Sequence, residues 1–526
     1  MRNDSDKQKG AKQSSTLASG TDRRQRQLQQ IRTKAHKETL KQFRREVDDG
    51  EESDILPTGE GITAVTSRTK PSSIPFSFIP ECVQLLQAFE SPETVQQALL
   101  VLRKLLCREE DTSKDEISAS GAIPLIVRCL TTDDQRIQLE ASWCITNLAA
   151  GDTRHVEAVV QCGCIPPLVS LLYSSHRECC DHAAWALGNI SGESAEFRNL
   201  IVENNGIGAL LHVIEIENAP VQVISDAVWA VSNICRRKPR LSTEYAEPIL
   251  RIAFTLLHHS DTDIVRYACW IVVYFSDAGE ECLDVILNTP GVLQRVLELL
   301  SSAPEEVKAP AVRIIGNVST GSELHAEALL QNGVLNVIPI LLQERRRDIR
   351  KDTCWLVSNL VIGSIDQLRM VMASGVYVTI VQQCLLAPEM DVKKEACYCV
   401  ANFLEFQEAD FYEYLLQLDV LYPLCETLRI GDAKILVVAL EAVLSFLEYG
   451  RALQEATGSE VNPVAQAIEG HNALELLEAL QTNRDHEVYE LALTILDDFF
   501  NTEPEYEHQQ LEFGAPGPND GAPFNF

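Results

Sequence analysis

Apolar residues recur at helical spacing in one stretch after another between residues 79 and 500, and the stretches resemble each other. In "ASWCITNLAAG" (141–151), Ala141, Cys144, Ile145 and Leu148 form an apolar stripe. Trp143 and Asn147, four residues apart, share the opposite face. The arrangement returns in "AAWALGNISGE" (183–193), "AVWAVSNICRR" (227–237), "ACWIVVYFSDAG" (268–279), "AVRIIGNVSTG" (311–321), "TCWLVSNLVIG" (353–363) and "ACYCVANFLEF" (396–406). The aromatic position falls at Trp143, Trp185, Trp229, Trp270, Arg313, Trp355 and Tyr398, in steps of 42, 44, 41, 43, 42 and 43 residues. Gly121, Gly163, Gly206, Gly291, Gly333 and Gly375 keep the same beat, each before an apolar helical run such as "IPLIVRCL". Glycine there reads as a helix stop and tight turn.

A period near 42 built only of helical patterns predicts an all-α, right-handed superhelical solenoid of armadillo or HEAT type, and the armadillo type is the one adopted here. Weaker copies at 95–110, 437–450 and 488–501 bring the count to about ten repeats over residues 79–500. The third helix of each repeat lines the concave side of such a stack, so a residue held at one position becomes a ladder. A single Trp is most simply explained by burial at a helix contact. All five tryptophans of the chain nevertheless fall in the ladder, beside Asn147, Asn189, Asn233, Asn317, Asn359 and Asn402. Asparagine carries a donor and an acceptor and can pair with an extended peptide whatever its sequence. Indole faces attract ammonium and guanidinium groups and pack on their aliphatic stems. Three residues before the aromatic, on the same face, stand Glu140, Asp226, Asp352 and Glu395. Together these describe a groove for an extended Lys/Arg-rich peptide.

Charge sharpens that reading. The net charge is −31, yet residues 1–45 carry 13 Lys+Arg against 4 Asp+Glu, while the remaining 481 carry 32 against 72. A body at −40 disfavours nucleic acid and favours a basic ligand, or the chain's own head. No apolar h-region opens the chain and no apolar run is long enough to span a membrane. The sixteen cysteines read as reduced thiols. Zinc is the sharper alternative for Cys162, Cys164, Cys179, Cys180, Cys397 and Cys399, but their C-x-C and C-C spacings lack a matching second pair, which favours small buried hydrophobes. G-x-S-x-G, P-loop, G-x-G-x-x-G, H-E-x-x-H and C-x-x-C patterns are missing in plausible context, so neither catalytic residues nor a cofactor are expected.

The W-x-x-x-N series resembles that of the importin α family, adaptors for nuclear localisation signals. Arg313 in place of Trp and Tyr274 in place of Asn belong to the likeness, and "WALGNISGES" and "ACWIVVYFSDAG" are close to the family's wording. The resemblance implies a major signal-binding site at Trp143, Asn147, Gly151, Trp185, Asn189, Glu193, Trp229 and Asn233. It implies a minor site at Arg313, Asn317, Asp352, Trp355, Asn359, Glu395, Tyr398 and Asn402. The chain departs from the family at Val156 (a family Thr), His182 (Gln), Glu193 and Tyr267 (Asp) and Tyr398 (Trp), which implies altered preference. Residues 21–47 read as a basic helix with Leu28, Ile31, Ala35, Leu40 and Phe43 partly on one side. They resemble the importin-β-binding segment, which gives that role to Arg32, Lys34, Lys37, Lys41, Arg44 and Arg45; Phe43, where the family has Lys, implies weak self-inhibition. Residues 48–78 read as a flexible tether and 501–526 as a disordered tail. The implied partners are cargo with basic signals, importin β, and an export receptor with Ran, for a protein shuttling between cytoplasm and nucleus. The rival readings are a general armadillo scaffold and a cytosolic chaperone of basic proteins. "RRKPR" (236–240) and "RRRDIRK" (345–351) read as solvated charge at inter-repeat turns.

Overall fold

The computed structural model describes residues 62–108 and 112–500, and these are helical almost throughout. The basic head (1–47) and the tail (501–526) lie outside the described residues. The chain divides at Thr379/Ile380 into two units.

In the first unit the ladder helices are α1 (Pro92–Leu106), α2 (Gln135–Ala149), α3 (Arg177–Glu193), α4 (Val221–Arg236), α5 (Thr262–Ser276), α6 (Glu305–Val318) and α7 (Arg347–Leu360), each packed on the next. In the second unit α8 (Met390–Phe403) packs on α9 (Ala433–Thr457), and α9 on α10 (His486–Phe499). Two shorter helices precede each ladder helix in most repeats, as Thr153–Gln161 and Ile165–Leu171 precede α3. Carboxylate and hydroxyl caps start many of them: Asp134 accepts from the Arg136 N–H, Asp152 from Arg154 and His155, and Ser194 from Phe197.

The predicted glycine turns appear at Gly121, Gly163, Gly291, Gly333 and Gly375, all with φ between 73° and 82°. At the remaining beat the left-handed residue is Asn205 (φ 59°), and Gly206 already belongs to the following helix. Asparagine tolerates that conformation, and Gly206 is needed instead because a Cβ there would run into Ile201.

The beat skips one repeat altogether. No glycine interrupts 243–256, and the single helix Thr243–Leu256 stands where its neighbours have two. The segment that elsewhere forms the first short helix is here the turn "RKPRLS" (237–242).

Residues 62–78 differ from the expected tether. They form three short 3-10 turns, with Ile62, Val65 and Ile74 buried. The Gln97 side-chain amide on α1 donates to the Ile62 and Val65 carbonyls, both at 2.7 Å, and Arg108 Nε donates to the Pro71 carbonyl at 2.9 Å. The Ser/Thr/Pro composition hid three apolar anchors that cover the open end of α1.

How deep each tryptophan sits depends on the helix before it. The residue preceding a ladder Asn is Gly188 on α3 and Gly316 on α6, and a Cβ at either would strike the ring of Trp229 or Trp355 in the next repeat. Those two rings are 5% and 2% exposed. Where the same position holds Thr146 or Ser232, the following Trp185 and Trp270 are left half-buried. Within a helix, Gly→Ala ordinarily stabilises by about 1 kcal/mol. Gly188→Ala is expected to do the opposite, lowering stability by ~1–3 kcal/mol as the Trp229 ring is displaced, read from urea unfolding followed by tryptophan fluorescence.

The described cysteines are all free, and thirteen of the sixteen are buried. Burial pushes the thiols of Cys164, Cys179 and Cys269 up to about 12, so they stay protonated at neutral pH. Thiol labelling of the native protein at pH 7 is expected to reach chiefly the half-buried Cys107, Cys162 and Cys282, and all sixteen after unfolding.

Candidate functional site

The ladder asparagines are anchored by the repeat behind them. Asn189 Nδ2 donates to the Thr146 carbonyl at 3.3 Å, Asn233 Nδ2 to the Gly188 carbonyl at 3.1 Å, and Asn317 Nδ2 to the Val273 carbonyl at 3.3 Å and Ser276 Oγ at 2.8 Å. Asn359 Nδ2 donates to Ser319 Oγ at 3.1 Å, and Asn147 Nδ2 points at Cys107 Sγ at 3.4 Å. A carbonyl can only accept, so it fixes which end of the amide turns inward. One donor hydrogen of each amide is therefore spent within the stack, which the sequence reading had left wholly to a ligand. Oδ1 of Asn189 and Asn233 has no hydrogen-bond partner in the protein, and neither has the indole Nε1 of Trp143, Trp229 or Trp355. The stack thus leaves a set of acceptors and donors over along the ladder.

The two ends of the Trp series in this unit are filled by the chain itself. Arg103 on α1 lies with its Cζ 4.0 Å from the Trp143 ring centroid, and its Nε donates to Glu140 at 2.6 Å. The Trp143 ring also stacks with His182, centroids 4.6 Å apart. Five repeats on, Arg313 repeats the device. Its Nε and Nη2 reach Asp352 at 2.8 and 2.6 Å, and its Cζ is 5.7 Å from the Trp355 centroid. Lys351 Nζ adds a contact to Asp352 at 3.2 Å. Glu140 and Asp352, expected to meet cargo cations, are occupied by internal guanidinium groups over a tryptophan. Between these ends Trp185 and Trp229 meet edge to face at 6.1 Å, and Trp270 stacks on Tyr274 at 5.8 Å.

Thr153 Oγ1 donates to Glu193 Oε1 at 2.6 Å, and Arg237 Nη2 donates to the Glu193 carbonyl at 2.7 Å. Gly151 leaves no room for a Cβ, which would stand 2.6 Å from His155 Nδ1 and 2.9 Å from Lys114 Cδ. Val156, where the resemblance places a binding hydroxyl, is fully buried in the core; the hydroxyl beside Glu193 belongs to Thr153, which the sequence reading missed. Asp226 accepts from Gln222 at 3.1 Å. Tyr267 takes Arg266, itself paired with Asp263 at 2.8 Å, over its ring at 4.7 Å, so this rung carries an aromatic and a cation where the preceding one has Asp226.

"RRKPR" is not solvated loop charge. Arg236 Nη2 donates to the Gly192 carbonyl at 3.2 Å, Arg240 pairs with Asp277, and the buried Arg198 donates to the Ile234, Arg237 and Pro239 carbonyls. Burial lowers the affinity of Arg198, Arg236 and Arg237 for their protons. Only Lys238 and Pro239 of the five are exposed.

The expected minor site falls on both units. Arg313, Asn317, Asp352, Trp355 and Asn359 lie on α6 and α7; Glu395, Tyr398 and Asn402 share one face of α8 and are buried there. Arg32, Lys34, Lys37, Lys41, Arg44 and Arg45 lie outside the described residues. Among the described residues, no group of three or more His, Cys, Asp or Glu is placed to hold a metal, and no helix is long and apolar enough to cross a membrane.

The armadillo/beta-catenin-like repeat matches residues 112–150, 152–192 and 194–236, and the atypical Arm repeat matches 462–513. Importin subunit alpha-4 of Arabidopsis thaliana is 32% identical over 511 residues, covering 96% of this chain and 92% of that one. Importin subunit alpha-1b of Oryza sativa subsp. japonica is 30% identical, covering 85% of each. The chain belongs to the importin α family. A crystal structure of an engineered protein superimposes with TM-score 0.69 at 22% identity, covering 80% of this chain and 98% of that one, which shows the fold alone.

For this importin α the Arg103–Glu140–Trp143 cluster is a stability element of the first rungs. Arg103→Ala removes the guanidinium from a carboxylate that is only 12% exposed and is expected to cost about 3 kcal/mol. Adding Glu140→Ala should recover part of that loss, measured by a double-mutant cycle in urea.

Proposed function

We propose that the chain is a nuclear import adaptor whose ladder face binds the extended, Lys/Arg-rich localisation signals of cargo proteins. One observation carries this reading. Along α2, α3 and α4 the stack fixes each Asn by one hydrogen and leaves Oδ1 of Asn189 and Asn233, and Nε1 of Trp143 and Trp229, without protein partners. Acceptors and donors repeated in this way, closed to solvent in the free chain, suit a strand of peptide backbone, whose N–H and C=O groups also recur regularly, once side-chain movement on binding uncovers them. The acids beside them select a cationic side chain: Glu193, held toward Thr153, and Asp226. The aliphatic stem of a lysine would lie against the half-buried Trp185, whose ring already faces Trp229. With Glu140 taken by Arg103, the strongest charge reading falls on the Trp185–Trp229 rungs. Of the minor-site residues in the first unit, Asn317 and Asn359 are on offer, with Asp352 spent on Arg313; the second unit by itself carries Glu395, Tyr398 and Asn402 on α8.

In the same proposal residues 1–47 are the importin-β-binding segment, acting through Arg32, Lys34, Lys37, Lys41, Arg44 and Arg45. The protein then shuttles between cytoplasm and nucleus, returning with an export receptor and Ran, and does no chemistry of its own. Importin β binding separates this adaptor from a chaperone of basic proteins.

The test is fluorescence anisotropy of a labelled Lys-rich signal peptide, with a charge-reversed peptide as control, titrated with the full chain and with a chain starting at residue 62. The basic peptide is expected to bind at near-physiological salt and the control not to. Glu193→Gln should weaken binding by about tenfold, equivalent to ~1.4 kcal/mol. Trp185→Ala with Asn189→Ala should abolish it. Because Asn189 also holds the Thr146 carbonyl, the double variant should also melt several degrees early. Normal binding by that variant would rule out the ladder as the site.

A further inference from the structure

The skipped first helix leaves an opening on the flank of the stack. Elsewhere in this unit first helices of consecutive repeats pack on each other: Thr112–Ala119 on Thr153–Gln161, Glu280–Asn288 on Glu323–Gln331, and Glu323–Gln331 on Ile365–Ala373. Between Ala195–Glu203 and Glu280–Asn288 no such helix stands. The space is a cleft of about 930 Å³ with Leu250, Phe254, Cys282 and Val285 among its lining residues. A second cavity of about 480 Å³ shares Ala246, Glu281 and Cys282 with it. Val285 is 44% exposed on the wall that faces this opening. The rim is acidic: Glu247, Glu280 and Glu281 are exposed, while Arg251 of the lining turns to Glu215 at 3.5 Å.

We infer that this cleft is the docking site of the chain's own basic segment around Leu28–Ala35, which supplies the missing first helix. Three features select that occupant. First helices in this unit run eight or nine residues, and Leu28, Ile31 and Ala35 form a one-sided apolar stripe across eight, at helical spacings of three and four. An extended peptide on the Trp/Asn ladder has no use for a stripe of that period, whereas Leu250, Phe254 and Val285 offer it a floor. The flanking Arg32, Lys34 and Lys37 are opposite in sign to the three rim glutamates. Reach is sufficient. The 26 residues between Ala35 and Ile62 span ~28 Å on average and ~90 Å when extended. From α1, which holds Ile62, to α5 is four helix steps, about 32–40 Å at ordinary packing distances. Docking there is independent of whether the ladder face binds cargo. It would hold the basic segment away from both the ladder and importin β.

Hydrogen exchange on the full chain, read by mass spectrometry, tests the assignment. In the wild type the amides of Glu280–Asn288 and of residues 28–35 are expected to exchange about tenfold more slowly than in a Leu28→Asp/Ile31→Asp variant. Val285→Asp, an exposed change that spares the core, should release residues 28–35 to the same degree. No difference at 280–288 would overturn the inference. So would protection that moves only the ladder helices α3 and α4, which would place the segment on the ladder face. Protection that appears only at high protein concentration would overturn it too, by assigning the cleft to a second copy.

Discussion

A single hydrogen bond, repeated, sets the register on which the rest of the first unit depends. Each ladder asparagine of α3, α4 and α6 donates to a main-chain carbonyl one repeat back, about 43 residues earlier. Helices packed only by apolar stripes can slide or rotate by a fraction of a turn at little cost, because burial is not directional. An amide aimed at one carbonyl removes that freedom, since leaving the acceptor unmatched in a buried contact costs roughly 1–3 kcal/mol. The same bond orients the amide, so the surface chemistry of a rung and the mechanical order of the stack are one arrangement.

That coupling explains why the ladder is neither purely a binding surface nor purely core. Asn189 and Asn233 are buried yet hold an unmatched oxygen, and Trp229 and Trp355 are nearly inaccessible yet hold an unmatched N–H. The arginines work at the same boundary. Arg103 and Arg313, five repeats apart, each bring a guanidinium to the acid three residues ahead of a tryptophan and to the ring itself. They balance charge that a strongly acidic stack would otherwise hold against itself, and they leave the acids near the middle of the major site as the less committed ones.

Much of the fold was legible because it repeats. Helical period, glycine beat and the tryptophan–asparagine series are local signals, and ten weak copies reinforce one another where one would be ambiguous. The signals that failed were relational. Nothing near residues 62–78 says that Ile62, Val65 and Ile74 are buried, because Gln97, which holds the Ile62 and Val65 carbonyls, lies on α1, some thirty residues on. Nothing in "RRKPR" says that Arg236 and Arg237 fold back on the Gly192 and Glu193 carbonyls, forty-four residues behind. Thr153 carries no signal of its own in the sequence, since its hydroxyl meets Glu193 forty residues on, one repeat away. Arg103 precedes the first clear copy of the series and could be found only by asking what stands one repeat behind Trp143.

The seat of each tryptophan has a consequence for how such stacks can change. Gly188 decides how far Trp229 sinks and Gly316 does the same for Trp355, yet seat and ring belong to different repeats. The unit that carries one recognition property is therefore not the sequence repeat but a frame shifted by one helix, from the residue before one asparagine to the aromatic of the next. Exchanging whole repeats between proteins would cut every such frame in two. Moving the recognition of one rung intact requires joints placed inside the ladder helices, between tryptophan and asparagine, rather than in the loops where repeats look separable.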